Sequence, residues 1–295
     1  MKLVIHIGLH KTGTTSFQNF LHFNRDSLLE AGVFYPEMGE HESHWVIPNQ
    51  IIRNNWDYVK NYMKDSLSNA RKANVNTVFI SSEDFELFLF EGYLASKFEN
   101  LVLDLGYSKI YWVSVLRNQW DYFNSIYSEM SKNKVCLNYA TAGEEILNFG
   151  EISMGTNVYR WRFAFDYDII IQRFLDYING TFSAYSFEQF TSTDVIGQVF
   201  INKIIEDKLN QKKFWSSKLH YVEKTNVRGK DETVEIDYLS NFLGIKMTKE
   251  IFEENNNIFV PIIQNRFGMI DLVKEDLHKR FKEKFPQIST KFNFK

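Results

Sequence analysis

Thirteen residues near the start of the chain, HIGLHKTGTTSFQ from His6 to Gln18, look like a phosphate loop with its lysine displaced. Gly8 and Gly13 keep the glycine spacing of a Walker A loop, G-x-x-x-x-G-K-[ST]. Thr14, however, follows Gly13, and Lys11 stands two residues before it. A loop that leads from a strand into a helix turns backbone amides and the positive end of the helix dipole toward an anion. Thr12, Gly13, Thr14, Thr15 and Ser16 are therefore expected to cradle one phosphate, with His10 inside the loop beside Lys11. Moving the cation upstream sets the Lys11 ammonium over whatever group extends beyond that phosphate. A cation there suits stabilising charge that develops on a leaving oxygen. The alternative is a glycine turn carrying a surface lysine.

Such a loop needs a strand before it and a helix behind it, and the sequence supplies both. Leu3 to Ile7 is an apolar run of the buried parallel-strand type. Phe17, Phe20, Leu21 and Leu28 recur at helical spacing, which predicts a helix to about Ala31 with Thr14 or Thr15 as N-cap. TVFIS (77 to 81), KIYWVSVL (109 to 116) and TFSAYSF (181 to 187) read as three more strands. Glu42 to Ala73 reads as mostly helical with a break near Pro48, and further helices are expected over 85–103, 120–130, 158–177, 194–209 and 234–243. Alternation of this kind predicts an α/β chain with a three-layer P-loop-like fold, a central parallel sheet flanked by helices. No repeat or long Pro/Gly/Ser linker divides residues 1 to 295, so they read as one domain, mostly helical from about 190. Ser217 to Asp231 is the longest aperiodic stretch.

With 44% hydrophobic residues, 27 Phe among them, and 24% charged residues, the chain has ample material for a core and does not resemble a disordered one. A formal charge of -3 gives no global attraction to nucleic acid or to an anionic membrane, so an anion site must be built from a few local cations and amides. Cys136 is the only cysteine, which excludes an internal disulfide and a cysteine-based metal cluster. HESH, from 41 to 44, lacks a third nearby ligand for zinc. The chain opens on a strand rather than a signal peptide and contains no run long enough for a transmembrane segment. A cytoplasmic protein without a nucleic-acid partner is expected.

Once strand, loop and helix are in place, Lys11-Thr-Gly-Thr-Thr15 resembles the K-x-G-T-[ST] loop of sulfotransferases that use 3'-phosphoadenosine 5'-phosphosulfate (PAPS), with a tilt toward the bacterial, carbohydrate-modifying members. The resemblance implies that this loop surrounds the 5'-phosphosulfate and that Lys11 assists transfer. It also implies an Arg at the end of a later strand and a Ser eight residues on, which together hold the donor's 3'-phosphate. VLRNQWDYFNSIY supplies Arg117 and Ser125. Two helical turns bring Ser125 back to the side of Arg117, and a guanidinium suits bidentate phosphate binding. Gln119 stands where the family commonly has Pro, which loosens the turn; read without the family, Arg117 suits a structural ion pair as well. Arg228 and Lys230, in TNVRGK, match a late basic loop that closes over the nucleotide, with a solvated turn as the alternative. ENNNIFVPIIQNRFG (254 to 268) is similar to the family's closing segment. The resemblance thus implies PAPS as donor, 3'-phosphoadenosine 5'-phosphate as product, no metal, and a glycan or glycolipid hydroxyl as acceptor. Its specific motifs cover only 6–18 and 116–127.

The acceptor hydroxyl must lose a proton, which calls for a base within hydrogen-bond reach. Glu83 is the first candidate, because it follows the strand TVFIS at the sheet edge that carries the loop, where related enzymes often hold their base. Ser82, Glu83 and Asp84 could instead serve as helix-start caps. His41 and His44, in GEHESHW after the first crossover, compete for the role. Two other functions fit parts of the pattern. A P-loop kinase would need Lys directly after Gly13 and a magnesium carboxylate, of which FISSED is a poor version; a non-catalytic nucleotide- or glycan-binding module would need Arg117 and Ser125 but neither Lys11 nor a base.

Overall fold

In the computed structural model of the protein the described residues are 1–133, 135, 139–155, 160–221, 236, 239–240, 243–255, 257–259 and 270–281. Cys136, Arg228 and Lys230, most of the helix expected over 234–243 and most of the segment 254–268 lie outside them. Along the chain run β1 (Lys2–His6), α1 (Thr14–Phe23), α2 (Arg25–Glu30), β2 (Val33–Phe34), α3 (Val46–Ile52), α4 (Trp56–Lys72), β3 (Thr77–Ser81), a 3-10 turn (Glu83–Glu86), α5 (Leu87–Phe90), α6 (Gly92–Asp104) and β4 (Lys109–Leu116). Then come α7 (Gln119–Lys132), α8 (Tyr139–Phe149), β5 (Glu151–Gly155), β6 (Arg160–Ala164), α9 (Tyr167–Leu175), β7 (Thr181–Ser186), α10 (Phe187–Thr191), α11 (Gln198–Ile204) and α12 (Lys208–Ser216).

The chain is α/β. Five parallel strands form a sheet in the order β2-β3-β1-β4-β7, flanked by helices. The four strands expected from apolar runs are all present; β2 is the addition, a two-residue strand inside GVFYP too short to show a period. The single helix expected to Ala31 is two, broken at Asn24. The Asn24 amide donates to Phe20 O at 2.8 Å and to His220 O at 2.9 Å, and its Oδ1 accepts from His220 N at 2.8 Å, so a distant strip of chain holds the break. The helix expected over 158–177 is also corrected. Arg160 to Phe163 alternates basic and aromatic residues, a period of two that fits a strand. β6 pairs antiparallel with β5, with Arg162 Nε and Nη2 on the Glu151 carboxylate at 3.0 and 3.1 Å, and the helix starts only at Tyr167. The helix expected over 194–209 is replaced by α11 and α12.

The described residues fall into two compact units. The first takes in Met1–Arg117 and the described part of Asp168–Asn226, and so holds the whole five-stranded sheet; the second takes in Asn118–Tyr167 and the described part of Val227–Gln287. In the first unit Phe17, Phe79, Phe190 and Phe200 belong to one buried cluster with Val4 and Val113 of the central strands. Trp112 packs with Phe88, Phe98 and Phe174 in another aromatic group. Each fully buried Phe of this kind stabilises the fold by roughly 2–3 kcal/mol through apolar area removed from water. In the second unit the helix Ile270–Phe281 lies against α8, where a Cβ on Gly143 would come within 2.6 Å of Val273. Its Arg280 reaches the buried Asp166 at 3.3 Å.

Candidate functional site

In an open parallel sheet the crevice for a ligand lies outside the carboxyl ends of the strands, where the strand order reverses. Here β1 is the central strand, with β3 on one side and β4 on the other. The glycine loop leaves β1 as a continuation of the sheet. Ile7 N donates to Val113 O at 2.9 Å, Val115 N to Gly8 O at 2.7 Å and Leu9 N to Val115 O at 3.2 Å. Gly8, at φ +90°, is where two stretches of backbone nearly touch: a Cβ there would sit 3.2 Å from the Glu83 Cα. Gly13, at φ +81°, is the N-cap of α1, and a Cβ would meet Ile196 at 2.6 Å. Thr14 or Thr15 as side-chain cap is therefore corrected, since no side chain caps α1. Thr14, Thr15 and Ser16 occupy its first turn, where amides point out of the helix end, and the helix dipole adds positive potential.

Lys11 has φ +57°, a left-handed conformation that costs a residue with a Cβ roughly 1–2 kcal/mol. Arg117, one residue past β4, supports it by donating from Nη1 to Lys11 O at 3.0 Å, and its guanidinium lies 4.6 Å from the Phe187 ring centre. Left-handed residues at Lys11 and Gly13 are the backbone pattern of anion-binding nests. Thr12 donates its hydroxyl to Leu9 O at 2.6 Å, which spends that side chain on the turn itself. Thr12, Thr14 and Ser16 are buried, while Lys11 and Thr15 are only half-buried.

The carboxylates come from the end of β3. Ser82 Oγ accepts from Asp84 N at 3.2 Å, so the capping role falls to Ser82. Glu83 instead accepts from Gln18 Nε2 at 2.9 Å. Gln18 also donates to Ser81 Oγ at 3.2 Å, and His6 Nδ1 lies 2.8 Å from the same oxygen. Glu86, almost wholly buried, accepts from His10 N at 2.9 Å and pairs with the His10 ring at 2.7 Å. Burial opposes the charged form of His10, but the Glu86 hydrogen bond and the charges of Glu86, Glu83 and Asp84 outweigh it and raise the imidazole to about 9. At neutral pH His10 is an imidazolium that latches the loop to the turn after β3.

His44 is differently employed. Its Nδ1 accepts from Ser81 N at 3.2 Å, its Nε2 donates to Pro36 O at 3.1 Å, and burial pushes it down to about 4. With both ring nitrogens on backbone groups, it ties the segment after β2 to β3. His41 is exposed on the same segment, edge-on to Trp45 with ring centres 5.5 Å apart. Lys11, Glu83, His10 and Arg117 thus gather around one loop in the first unit. Ser125 is buried on α7, in the second. Gln18 and Glu86 were missed as site residues, although Gln18 closes the very stretch that drew attention and Glu86 follows Glu83 by three positions.

Among the described residues no group of three or more His, Cys, Asp or Glu is placed to hold a metal ion, and no helix is long and apolar enough to cross a membrane. Compared with protein-family models, curated proteins and solved structures, the chain matches none.

Proposed function

We propose that the protein is a PAPS-dependent sulfotransferase with a P-loop-like donor site, acting on a hydroxyl of a glycan or glycolipid in the cytoplasm. One observation carries the reading: Lys11, held at φ +57° by Arg117, sits in a loop whose Gly8 packs against the backbone of Glu83. Two cations, a carboxylate and a helix N-terminus, from three neighbouring strand ends, are thereby held together. Backbone strain persists only where its surroundings enforce it, and such residues cluster at functional sites.

PAPS, when bound, supplies a sulfuryl group on a good leaving group. In this reading the amides of Thr14 to Ser16 and the α1 dipole hold its 5'-phosphate. Lys11 neutralises the negative charge that grows on the bridging oxygen, an effect made chiefly in the transition state. Glu83 accepts the proton of the acceptor hydroxyl as that oxygen attacks sulfur. Arg117 takes the 3'-phosphate. No step needs a metal. A kinase reading is less well supported, because a buried threonine, Thr14, stands where the Walker lysine belongs.

Calorimetry tests the donor site. 3'-Phosphoadenosine 5'-phosphate should bind roughly 30-fold more tightly than ADP, and Arg117→Ala should remove most of that difference, about 2 kcal/mol. Lys11→Met should lower consumption of labelled PAPS in the presence of saccharide acceptors far more than it weakens nucleotide binding. Equal affinity for ADP overturns the assignment.

A further inference from the structure

HIGLHKTGTTSFQ ends on a residue to which neither the phosphate loop nor the transfer chemistry gives a task. Gln18 lies on α1, five residues past the N-cap Gly13, and is 3% exposed. Its carboxamide nitrogen carries two hydrogens, and two acceptors lie in range: Glu83 Oε2 at 2.9 Å and Ser81 Oγ at 3.2 Å. Ser81 is fixed in turn, paired level with His6 across β1 and β3, with its hydroxyl 2.8 Å from His6 Nδ1. His6 is walled in by the rings of Phe17, Phe190 and Phe200. The carboxylate therefore does not hang from a flexible turn. It is tied to the helix whose N-terminus forms the loop, and that helix is seated in the core.

We infer that Gln18 is the positioning residue for Glu83, holding its carboxylate in register with the amides and lysine of the loop through the second hydrogen of an amide anchored on Ser81. The inference rests on the reading of Glu83 as the base. One Glu83 oxygen accepts from Gln18, which leaves the carboxylate's other lone pairs as the proton acceptors and fixes their direction. Positioning of this kind acts on the rate of the chemical step and leaves nucleotide affinity alone.

Two measurements separate the contact from its role. Gln18→Glu places a second carboxylate against the first, and like charges repel once both ionise. The variant's melting temperature should fall more at pH 8 than at pH 5, by about 4 °C or more relative to the native chain, and adding Glu83→Gln should remove the part of that extra loss due to repulsion, leaving the cost of a carboxylate at a buried position. The other titratable groups whose charges reach Glu83 are Asp84, His10 and Tyr35; all remain in both variants, and Glu83→Gln alone, measured at the same two pH values, supplies the correction for their response to the lost charge. A pH-independent loss, or no rescue, overturns the contact. For the role, Gln18→Met keeps side-chain length and removes the amide. It should lower turnover of labelled PAPS roughly 10-fold, hold 3'-phosphoadenosine 5'-phosphate within about two-fold of native affinity, and cost nothing further in a Glu83→Gln background. An equal loss in that background overturns the positioning role. Full turnover by Glu83→Gln alone overturns the base assignment and the role that depends on it, while the melting result stands by itself.

Discussion

The two edges of the central sheet each hold a glutamate, and they are built to opposite ends. Near the amino ends of β4 and β7, Glu99 of α6 is fully buried and accepts three N–H bonds, from Trp112 Nε1 at 2.6 Å, Asn179 N at 2.7 Å and Gly180 N at 3.0 Å. At the carboxyl end of β3, Glu83 is half-buried, with Gln18 Nε2 at 2.9 Å on one oxygen. Three donors occupy the Glu99 oxygens and fix them in place. A single side-chain bond orients Glu83. The amino edge uses its carboxylate to stitch α6, β4 and the start of β7 together, and the carboxyl edge ties its own to α1 beside the loop.

That contrast can be broken from either side. The largest effect is expected at the amino edge, where Glu99→Ala strands the Trp112 indole N–H and two backbone N–H groups. The loss should be on the order of 3–5 kcal/mol in chemical unfolding, with turnover of the folded fraction unchanged. Glu83→Gln should behave in reverse. It nearly preserves shape, so stability should stay within about 1 kcal/mol while turnover falls roughly 100-fold. If Glu99→Ala abolished turnover in molecules that remain folded, or Glu83→Gln unfolded the protein, the division between the edges would be lost.

Much of this was legible in the sequence, and what was not has a common cause. Buried parallel strands are continuous apolar runs, so β1, β3, β4 and β7 stand out, and the strand ends then nominate Lys11, Glu83 and Arg117. β2 is too short to show a period, and the β5–β6 hairpin hides its alternation beside a true helix. The break at Asn24 depends on His220, 196 residues away, which no local pattern announces. The competition between Glu83 and His44 is of the same kind. His44 has both ring nitrogens on backbone groups, Ser81 N, 37 residues on, and Pro36 O. Residue type and strand-end position nominate candidates; their long-range partners are visible only in the fold.

The remaining expected effects are those of pH, and they map to the carboxyl edge alone. His6 and His44 are neutral in the fold, since burial lowers them to about 3 and about 4. The unfolded chain protonates both below its ordinary value near 6.5, so stability is unaffected above that pH and declines as pH falls toward 4, by on the order of 1 kcal/mol apiece at pH 5.5. His10 works the other way. Its folded value is raised to about 9, so the His10–Glu86 pair contributes fully below about 6.5, weakens as pH climbs, and is lost above about 9. Urea titrations from pH 4 to pH 10 should therefore give a stability maximum near pH 6.5, falling on both sides. His44→Asn should flatten the acid limb, and His10→Asn the alkaline limb. Glu99 has no histidine among its three donors, so Glu99→Ala should lower the curve and keep both histidine limbs. A Glu99→Ala curve that loses either limb would mean that the two edges are electrostatically coupled through the sheet.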